Sequence, residues 1–337
     1  MKKTRIRMKD IADRAGVSTV TVSKALSGQR GVSQKVREQI LQLAEEMGYQ
    51  PAEKQKSTRI SYTVGIIVAE HFLGKVTSFY GEMLLKISEE IARMECISKT
   101  ELITDRMEGS AFLPKILGES LDGLIALGSL QERYLEKIRA ETDIPVVCLD
   151  HAPVSPEMDC VVSDGFYGTY QLTNHLFAMG HQRIGYVGTL FSTKSITERY
   201  LGYYWSLMEH GQQVREDWIL RDRENGSEAA GGDLFILPEK LPTAFVCNSD
   251  YTAACLCSVL KEKGLRCPED ISITGYDNFA YPWICDQLFT TYEVNAVKMV
   301  KKAVSILLHR MNGDYMRKGI RCVTGHLIER DSVRKLN

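Results

Sequence analysis

The stretch GVSTVTVSKALSG, residues 16–28, decides how the N-terminal part of the chain folds. Its valines and threonines are residue types that are favoured in β-strands. However, Gly16 can adopt the positive φ that ends a preceding helix, and Ser18 is a preferred N-cap for a new helix. The pattern therefore predicts a turn followed by a short helix, with Val22 directed towards a partner helix and Thr19 directed away from it.

Two further predicted helices flank this one. The segment MKDIADRAG, residues 8–16, has a narrow apolar stripe that includes Ile11 and Ala12, and small residues allow a second helix to approach closely. A third helix is predicted after Ser33, a second N-cap candidate. Its apolar residues at helical spacing are Val36, Ile40, Leu43, Ala44 and Met47. Three short helices with a glycine turn predict a helix-turn-helix DNA-binding domain over residues 1–49.

The net charge of −1 hides an uneven distribution along the chain. Residues 1–59 contain thirteen Lys and Arg against six Asp and Glu, so residues 60–337 carry a net charge of −8. A basic head on an acidic body indicates that a polyanion binds at one end only.

The second predicted helix carries the candidates for reading base edges. Lys24 can donate to guanine O6 or N7, Thr19 can donate or accept, and Val20 can contact a thymine methyl group. Neighbouring basic and hydroxyl side chains suit phosphates, which position a domain without reading sequence. These further DNA-binding candidates are Arg5, Arg7, Thr21, Ser23, Ser33, Arg37, Lys54, Lys56 and Arg59. The alternative is that all of them form the solvated face of a small helical bundle.

The run from Asp10 to Leu26 fits the pattern D-[IV]-A-x-x-A-G-V-S-x-x-T-V-S-x-[AV]-[LIV]. In this run the chain resembles the lactose/galactose repressor (LacI/GalR) family of transcription regulators, and the resemblance continues through GVSQKVREQI to GYQP. It implies that Thr19 and Val20 occupy the first positions of a recognition helix. It also implies that Lys24 takes the place of a basic or imidazole residue.

The predicted linker, residues 50–62, departs from the family pattern. In the family this stretch forms a hinge helix that inserts a leucine into the minor groove of operator DNA. Here Ala52, Gln55 and Thr58 replace the Asn, Ala and Leu of that motif. The basic residues of the linker still suit phosphates and predict a strong fall of affinity with salt.

From residue 63 onward, short β-branched runs alternate with amphipathic segments. The predicted strands are residues 63–69, 121–127, 145–150, 183–188, 243–249 and 271–277. This alternation predicts an α/β fold with doubly wound parallel sheets. The resemblance, which covers nearly the whole chain, implies a type I periplasmic-binding-protein-like domain with two lobes and an effector cleft. The predicted N-lobe comprises residues 63–163 and 291–321, and the predicted C-lobe comprises residues 164–290 and 322–337.

Polar residues follow several predicted strands, where ligands of open parallel sheets bind. Asp150 and Asp277 end two strands, and Arg199 carries a fork of donors that suits paired oxygens. The resemblance places these three residues where effectors are usually contacted. Carboxylates, a guanidinium group and nearby aromatic rings are typical of carbohydrate recognition. The candidate effector-binding residues are Asp150, Arg199, Asn248, Ser249, Asp277, Phe279 and Trp283.

Structural roles are the alternative for these candidates. Asp150 and Asp277 could cap a following turn or helix, and Arg199 could pair with Glu198 or Asp250. Because Asn248 and Ser249 precede Asp250 where the family has an Asn-Asp pair, the sequence leaves open which of them contacts the ligand.

These features predict a dimeric repressor of carbohydrate-utilisation genes that binds a near-palindromic operator and is controlled by a sugar-like effector. The alternative is a helix-turn-helix protein fused to a sugar-processing enzyme. The sequence has no phosphate-binding glycine loop and no G-x-S-x-G motif, so we expect no enzyme activity and no cofactor. Without a membrane span or an apolar signal core, a cytoplasmic protein is expected. The nine cysteines lack a C-x-x-C pattern and predict reduced thiols without a metal.

Overall fold

The computed structural model describes residues 8–26, 32–47, 61–73, 78–110, 112–154, 158–224, 227–228, 235–314 and 317–336. The chain divides into two compact units, Met1–Ile60 and Ser61–Asn337. Among the described residues, no helix is long and apolar enough to cross a membrane.

The described part of the first unit contains three helices, as predicted. They are α1 (Met8–Ala15), α2 (Thr19–Leu26) and α3 (Gln34–Glu46). Gly16 ends α1 with a φ of 67°, a conformation that glycine adopts without a steric penalty. Ser18 then caps α2, because its Oγ accepts a hydrogen bond from the Thr21 amide at 3.1 Å.

The three helices share one apolar core. Each contributes buried residues to it: Ile11, Ala12, Val22, Ala25, Ile40 and Ala44. Val17, Leu26, Val36 and Met47 pack around this cluster. The β-branched Val22 is therefore placed by burial against α1 and α3, and tertiary packing overrides its local preference for a strand.

The second unit contains two parallel sheets, and the first of these forms the N-lobe. Its strands are β1 (Thr63–Ala69), β2 (Ile97–Ile103), β3 (Gly123–Leu127), β4 (Val146–Leu149), β5 (Asp159–Ser163) and β13 (Ile320–Val323). The strand order within the described residues is β13-β5-β4-β3-β1-β2. The helices of this lobe are α4 (Phe79–Arg93), α5 (Asp105–Ser110), α6 (Glu132–Ala140) and α10 (Ala296–Met311).

The second sheet forms the C-lobe. Its strands are β6 (Ile184–Val187), β7 (Ile219–Leu220), β10 (Ala244–Cys247), β11 (Ser272–Asp277), β12 (Thr290–Glu293) and β14 (His326–Ile328). The order is β14-β12-β11-β10-β6-β7, and only β14 among these strands runs antiparallel to its neighbour. A small hairpin joins β8 (Arg223–Glu224) to β9 (Ser227–Glu228). The helices are α7 (Gly165–Ala178), α8 (Lys194–Glu209) and α9 (Asp250–Glu262).

The chain passes between the lobes after β5, after β12 and after β13. The last two crossings lie slightly later than the sequence predicted. Residues 291–293 belong to β12 in the C-lobe, because they continue to pair with β11 as far as Glu293. Cys322 and Val323 belong to β13 in the N-lobe, where they pair with Val162 and Ser163.

Helices α7 and α8 are in close contact, and a glycine makes this contact possible. A Cβ atom on Gly202 of α8 would lie 2.1 Å from the backbone oxygen of Phe166 in α7. Backbone atoms cannot move aside without displacing the helix, so a larger residue must separate the two helices.

We expect Gly202→Ala to destabilise the protein by about 1–3 kcal/mol, because the added methyl group overpacks this contact. Urea unfolding followed by circular dichroism measures the change. Gly109→Ala is the matched control, since it lies in α5 and its Cβ would meet no atom within 4 Å. Equal stability of the two variants would contradict the proposed close contact.

Candidate functional site

The recognition helix predicted in the first unit is α2. Thr19 is exposed at its first position, whereas Thr21 is half-buried and its hydroxyl lies 2.9 Å from the Ser18 hydroxyl. Val20, Ser23 and Lys24 lie on the same helix by position, but their side chains lie outside the described part of the structure. The remaining candidates outside the described residues are Arg5, Arg7, Lys54, Lys56 and Arg59.

The start of α3 provides a second group of candidate DNA contacts. Ser33 is exposed, and its Oγ accepts a hydrogen bond from the Val36 amide at 3.4 Å. Arg37 lies one turn into the helix and is half-buried. A helix N-terminus with a hydroxyl and a nearby cation suits a phosphate group.

A cavity of about 110 Å³ lies between the two lobes of the second unit. Five of the seven candidate effector residues line it: Asp150, Arg199, Asn248, Ser249 and Asp277. Phe279 and Trp283 are not among the lining residues, and the Trp283 side chain is 47% exposed. The aromatic rings that do line the cavity come from both lobes and are Phe72, Phe79, Tyr80, Tyr251 and Tyr281.

Arg199 is a buried cation of this cavity that has several partners. It is only 7% exposed, and its Nη1 donates to the backbone oxygen of Asn248 at 2.6 Å. Its Nη2 lies 3.6 Å from Oδ1 of Asp277, and its guanidinium group lies 3.8 Å from the ring centroid of Tyr276. Burial lowers the pKa of Arg199, but the nearby negative charges, led by Asp277, outweigh this effect and raise the pKa above its ordinary value.

Asp150 faces Arg199 from the N-lobe. It has a φ of 61°, and its Oδ2 accepts a hydrogen bond from the Tyr80 hydroxyl at 2.8 Å. Burial raises the pKa of Asp150, whereas Arg199 and the Tyr80 hydrogen bond oppose the rise. A carboxylate from the N-lobe therefore lies near a guanidinium group from the C-lobe.

Asp277 is held by a left-handed turn at the end of β11. Asp277 and Asn278 have φ values of 107° and 59°. Directly after them, the Phe279 amide donates to Oδ2 of Asp250 at 2.9 Å, and Thr291 donates to the same oxygen at 3.0 Å. Burial raises the pKa of Asp250 to about 7. Asp250 thus fixes the turn that presents Asp277, and it is not itself a lining residue.

Asn248 and Ser249 stabilise the backbone at the end of β10. The Asn248 amide group donates to the Val187 oxygen at 3.0 Å and to Asp222 at 2.8 Å. Ser249 caps α9, since its Oγ accepts from the Thr252 amide at 3.1 Å. Both residues line the cavity, and both also have structural partners.

Several residues that line the cavity were not among the candidates predicted from the sequence. His151 follows Asp150, and burial lowers the pKa of its imidazole to about 4, so the ring is neutral at pH 7. Glu198 precedes Arg199, and burial raises the pKa of its carboxyl group. Their positions in the sequence, directly beside Asp150 and Arg199, could have identified them as cavity residues. Tyr80 had no such signal, because it comes from α4 in a distant part of the sequence.

All nine cysteines are free. Within the described residues, no group of three or more His, Cys, Asp or Glu side chains could hold a metal ion.

Comparison with known proteins gives matches along most of the chain. The model for bacterial regulatory proteins of the lacI family matches residues 7–52, and the model for a periplasmic binding protein-like domain matches residues 173–333. One relative is the HTH-type transcriptional repressor PurR of Aliivibrio salmonicida (strain LFI1238). It is 30% identical over 336 residues, which cover 98% of this chain and 99% of that protein.

Solved structures share the fold at lower sequence identity. A complex of the transcriptional regulator CelR with cellobiose matches with a TM-score of 0.66 and 21% identity, over 97% of this chain and 100% of that one. A lac repressor dimer bound to operator and the anti-inducer ONPF matches with a TM-score of 0.65 and 21% identity, over 98% and 100% of the two chains.

The sequence match to a repressor covers both the helix-turn-helix unit and the two-lobed unit. These two units are the parts that bind operator DNA and a small-molecule effector. The alternative of a fused sugar-processing enzyme is wrong, because the family consists of transcription regulators. The chain therefore belongs to the LacI family of bacterial regulatory proteins and is a DNA-binding transcriptional repressor that responds to a small molecule.

Proposed function

We propose that the effector is a carbohydrate and that the protein acts in the cytoplasm as a homodimeric repressor of carbohydrate-utilisation genes. One observation carries this proposal: Asp150, Arg199 and Asp277 line a single cavity together with several aromatic rings. Carboxylates and a guanidinium group can bind neighbouring hydroxyls, and an aromatic ring can cover the apolar face of a sugar.

An unsatisfied donor in the cavity supports a hydroxyl-bearing ligand. The Nε atom of Arg199 is buried and has no hydrogen-bond partner among the described residues. A buried donor without a partner is unfavourable, so a ligand oxygen that accepts from it contributes affinity. The relative CelR, whose structure contains cellobiose, adds support for a sugar.

The cavity has walls from both lobes, and this arrangement supports control by lobe closure. A ligand that contacts Asp150 in the N-lobe and Arg199 in the C-lobe binds a closed cleft more tightly than an open one. Operator DNA must then change effector affinity by the same factor by which the effector changes DNA affinity. This coupling is the proposed basis of gene control, whether the effector releases or tightens the DNA complex.

On DNA, we propose that two copies of α2 read the two halves of a near-palindromic operator. Thr19, Val20 and Lys24 are the proposed contacts to bases. Ser23 is a further proposed DNA contact on α2, and the proposed contacts to the DNA backbone are Arg5, Arg7, Thr21, Ser33, Arg37, Lys54, Lys56 and Arg59. The exposure of Thr19 and the capped N-terminus of α3 support this assignment.

A thermal-shift screen of the full chain against monosaccharides, disaccharides and their phosphate esters tests the carbohydrate proposal. At least one sugar should raise the melting temperature, because a ligand that binds only the folded state stabilises it. If no sugar in the panel raises the melting temperature, the carbohydrate proposal is wrong.

Replacement of Arg199 by alanine should abolish the effector response while operator binding is retained. The substitution removes the donors that face the cavity and leaves the first unit of the chain unchanged. Fluorescence anisotropy with labelled operator, with and without the sugar found in the screen, measures the response. Arg215→Ala is the control, since Arg215 is exposed, pairs with Asp217 at 2.7 Å and does not line the cavity. A normal response from Arg199→Ala would exclude Arg199 from the binding site.

Replacement of Lys24 and of Lys56 should affect DNA binding differently. Lys24→Ala should lower discrimination at one operator position by about 1–3 kcal/mol and leave the salt dependence almost unchanged. Lys56→Ala should weaken binding to all sequences alike and reduce the salt slope by about one unit. Anisotropy titrations with single-base operator variants at several salt concentrations distinguish the two. Identical behaviour of both variants would contradict the division between base and phosphate contacts.

A further inference from the structure

The charged side chains of the effector cavity include equal numbers of acids and bases. The acidic residues that line it are Asp150, Glu198 and Asp277, and the basic ones are Lys194, Arg199 and Arg223. The acidic and the basic side chains differ in how many of them already have a partner of opposite charge.

The two guanidinium groups are already neutralised. Arg223 forms a buried ion pair with Asp222, with an Nη2 to Oδ2 distance of 2.8 Å. Arg199 is shared between Asp277, at 3.6 Å, and the backbone oxygen of Asn248. Neither group can bind a new anion without weakening a pair that offsets its own desolvation.

The remaining lining cation, Lys194, lies near Glu198, whose carboxylate offsets its attraction for an anion. Lys194 is exposed and donates to the Ala152 oxygen at 3.4 Å, and the His151 ring is uncharged at pH 7. The N-termini of α8 and α9 have side-chain caps, because Thr193 accepts from the Ile196 amide and Ser249 accepts from the Thr252 amide. Each cap occupies one amide of its helix terminus, which leaves fewer donors for a phosphate group.

Glu198 adds a further negative charge to the cavity wall, near the cations Lys194 and Arg199. It lies on α8 directly before Arg199 and is half-buried in the cavity wall. Within the described residues, no hydrogen bond or close ion pair engages its carboxyl group, but the positive charges of Lys194 and Arg199 oppose the rise that burial causes in its pKa. Because Arg223 is paired with Asp222, which lies outside the lining, the lining presents three acidic side chains and only two further basic ones.

We propose that the effector is an uncharged sugar and that Glu198 is a specificity-determining residue that excludes phosphorylated sugars. This inference rests on the carbohydrate function proposed above and adds the charge class of the ligand. Repulsion between Glu198 and a phosphate group is strong because both would be partly removed from water. A neutral hydroxyl carries no such penalty.

The unsatisfied groups of the cavity match a neutral ligand. Among the residues that line the cavity, two buried nitrogen atoms have no hydrogen-bond partner within the described part of the chain, Nε of Arg199 and Nε2 of His151. A sugar hydroxyl can both donate and accept, so it can satisfy the arginine donor and either tautomer of the neutral imidazole. The carboxylate oxygens of Asp150 and Asp277 can accept from further hydroxyls.

The test uses matched pairs of a sugar and its phosphate ester: glucose and glucose 6-phosphate, fructose and fructose 6-phosphate, ribose and ribose 5-phosphate, and trehalose and trehalose 6-phosphate. Isothermal titration calorimetry of the full chain gives the Kd for each. For the pair that binds, we expect the neutral sugar to bind at least about tenfold more tightly than its ester, because one additional charge repulsion acts on the ester.

Substitution of the proposed residue tests its role separately. Glu198→Gln should narrow the ratio between the two Kd values by at least about threefold, because the amide keeps the shape and removes the charge. Glu209→Gln is the control on the same helix; Glu209 accepts hydrogen bonds from Trp205 and Tyr170, does not line the cavity, and should leave the ratio unchanged.

The possible outcomes separate this inference from the function on which it rests. Tighter binding of a phosphate ester than of its neutral partner would overturn the inference and uphold the carbohydrate function. Binding of neither member of any pair, together with a negative thermal-shift screen, would overturn both. An unchanged ratio of the two Kd values in Glu198→Gln would show that Glu198 does not determine specificity. If that variant does not fold, the ratio measured for the unsubstituted protein still tests whether the effector is uncharged.

Discussion

The buried guanidinium group of Arg199 is the interaction on which the effector cleft depends. It extends from α8 to the ends of two neighbouring strands, where it meets the backbone oxygen of Asn248 after β10 and the carboxylate of Asp277 in β11. A cation at this depth is tolerated only because opposite charges and dipoles surround it. One side chain therefore fixes three segments of the C-lobe, and its buried Nε has no hydrogen-bond partner among the described residues.

Much of the fold could be predicted from the sequence because its signals are local. The turn at Gly16 and the cap at Ser18 indicate where one helix ends and the next begins, and these signals were more informative than the β-propensity of Val22. Alternation of strands and helices likewise predicted two doubly wound sheets. Polar residues at strand ends, such as Asp150, could be predicted as cleft residues because parallel strands share one functional edge.

The rest of the site depends on contacts between distant segments. Phe279 was selected because it is near Asp277 in sequence, but the left-handed turn at Asp277 and Asn278 directs the Phe279 amide to Asp250, and its ring is not part of the cavity lining. Tyr80 reaches the cavity from the other lobe, a contact that no periodicity in the sequence encodes. The exact positions of the lobe crossings also depend on strand pairing, which continues to Glu293 in β12.

The interleaved path of the chain has a consequence for how the protein is made. The N-lobe sheet begins with β1 near residue 63, but its edge strand β13 comes from residues 320–323, and the C-lobe sheet acquires β14 only at residues 326–328. When synthesis has reached about residue 300, each of the two sheets therefore still lacks one strand. Both lobes therefore acquire their last strands from one short stretch of sequence, residues 320–328, so neither sheet can be completed long before the other.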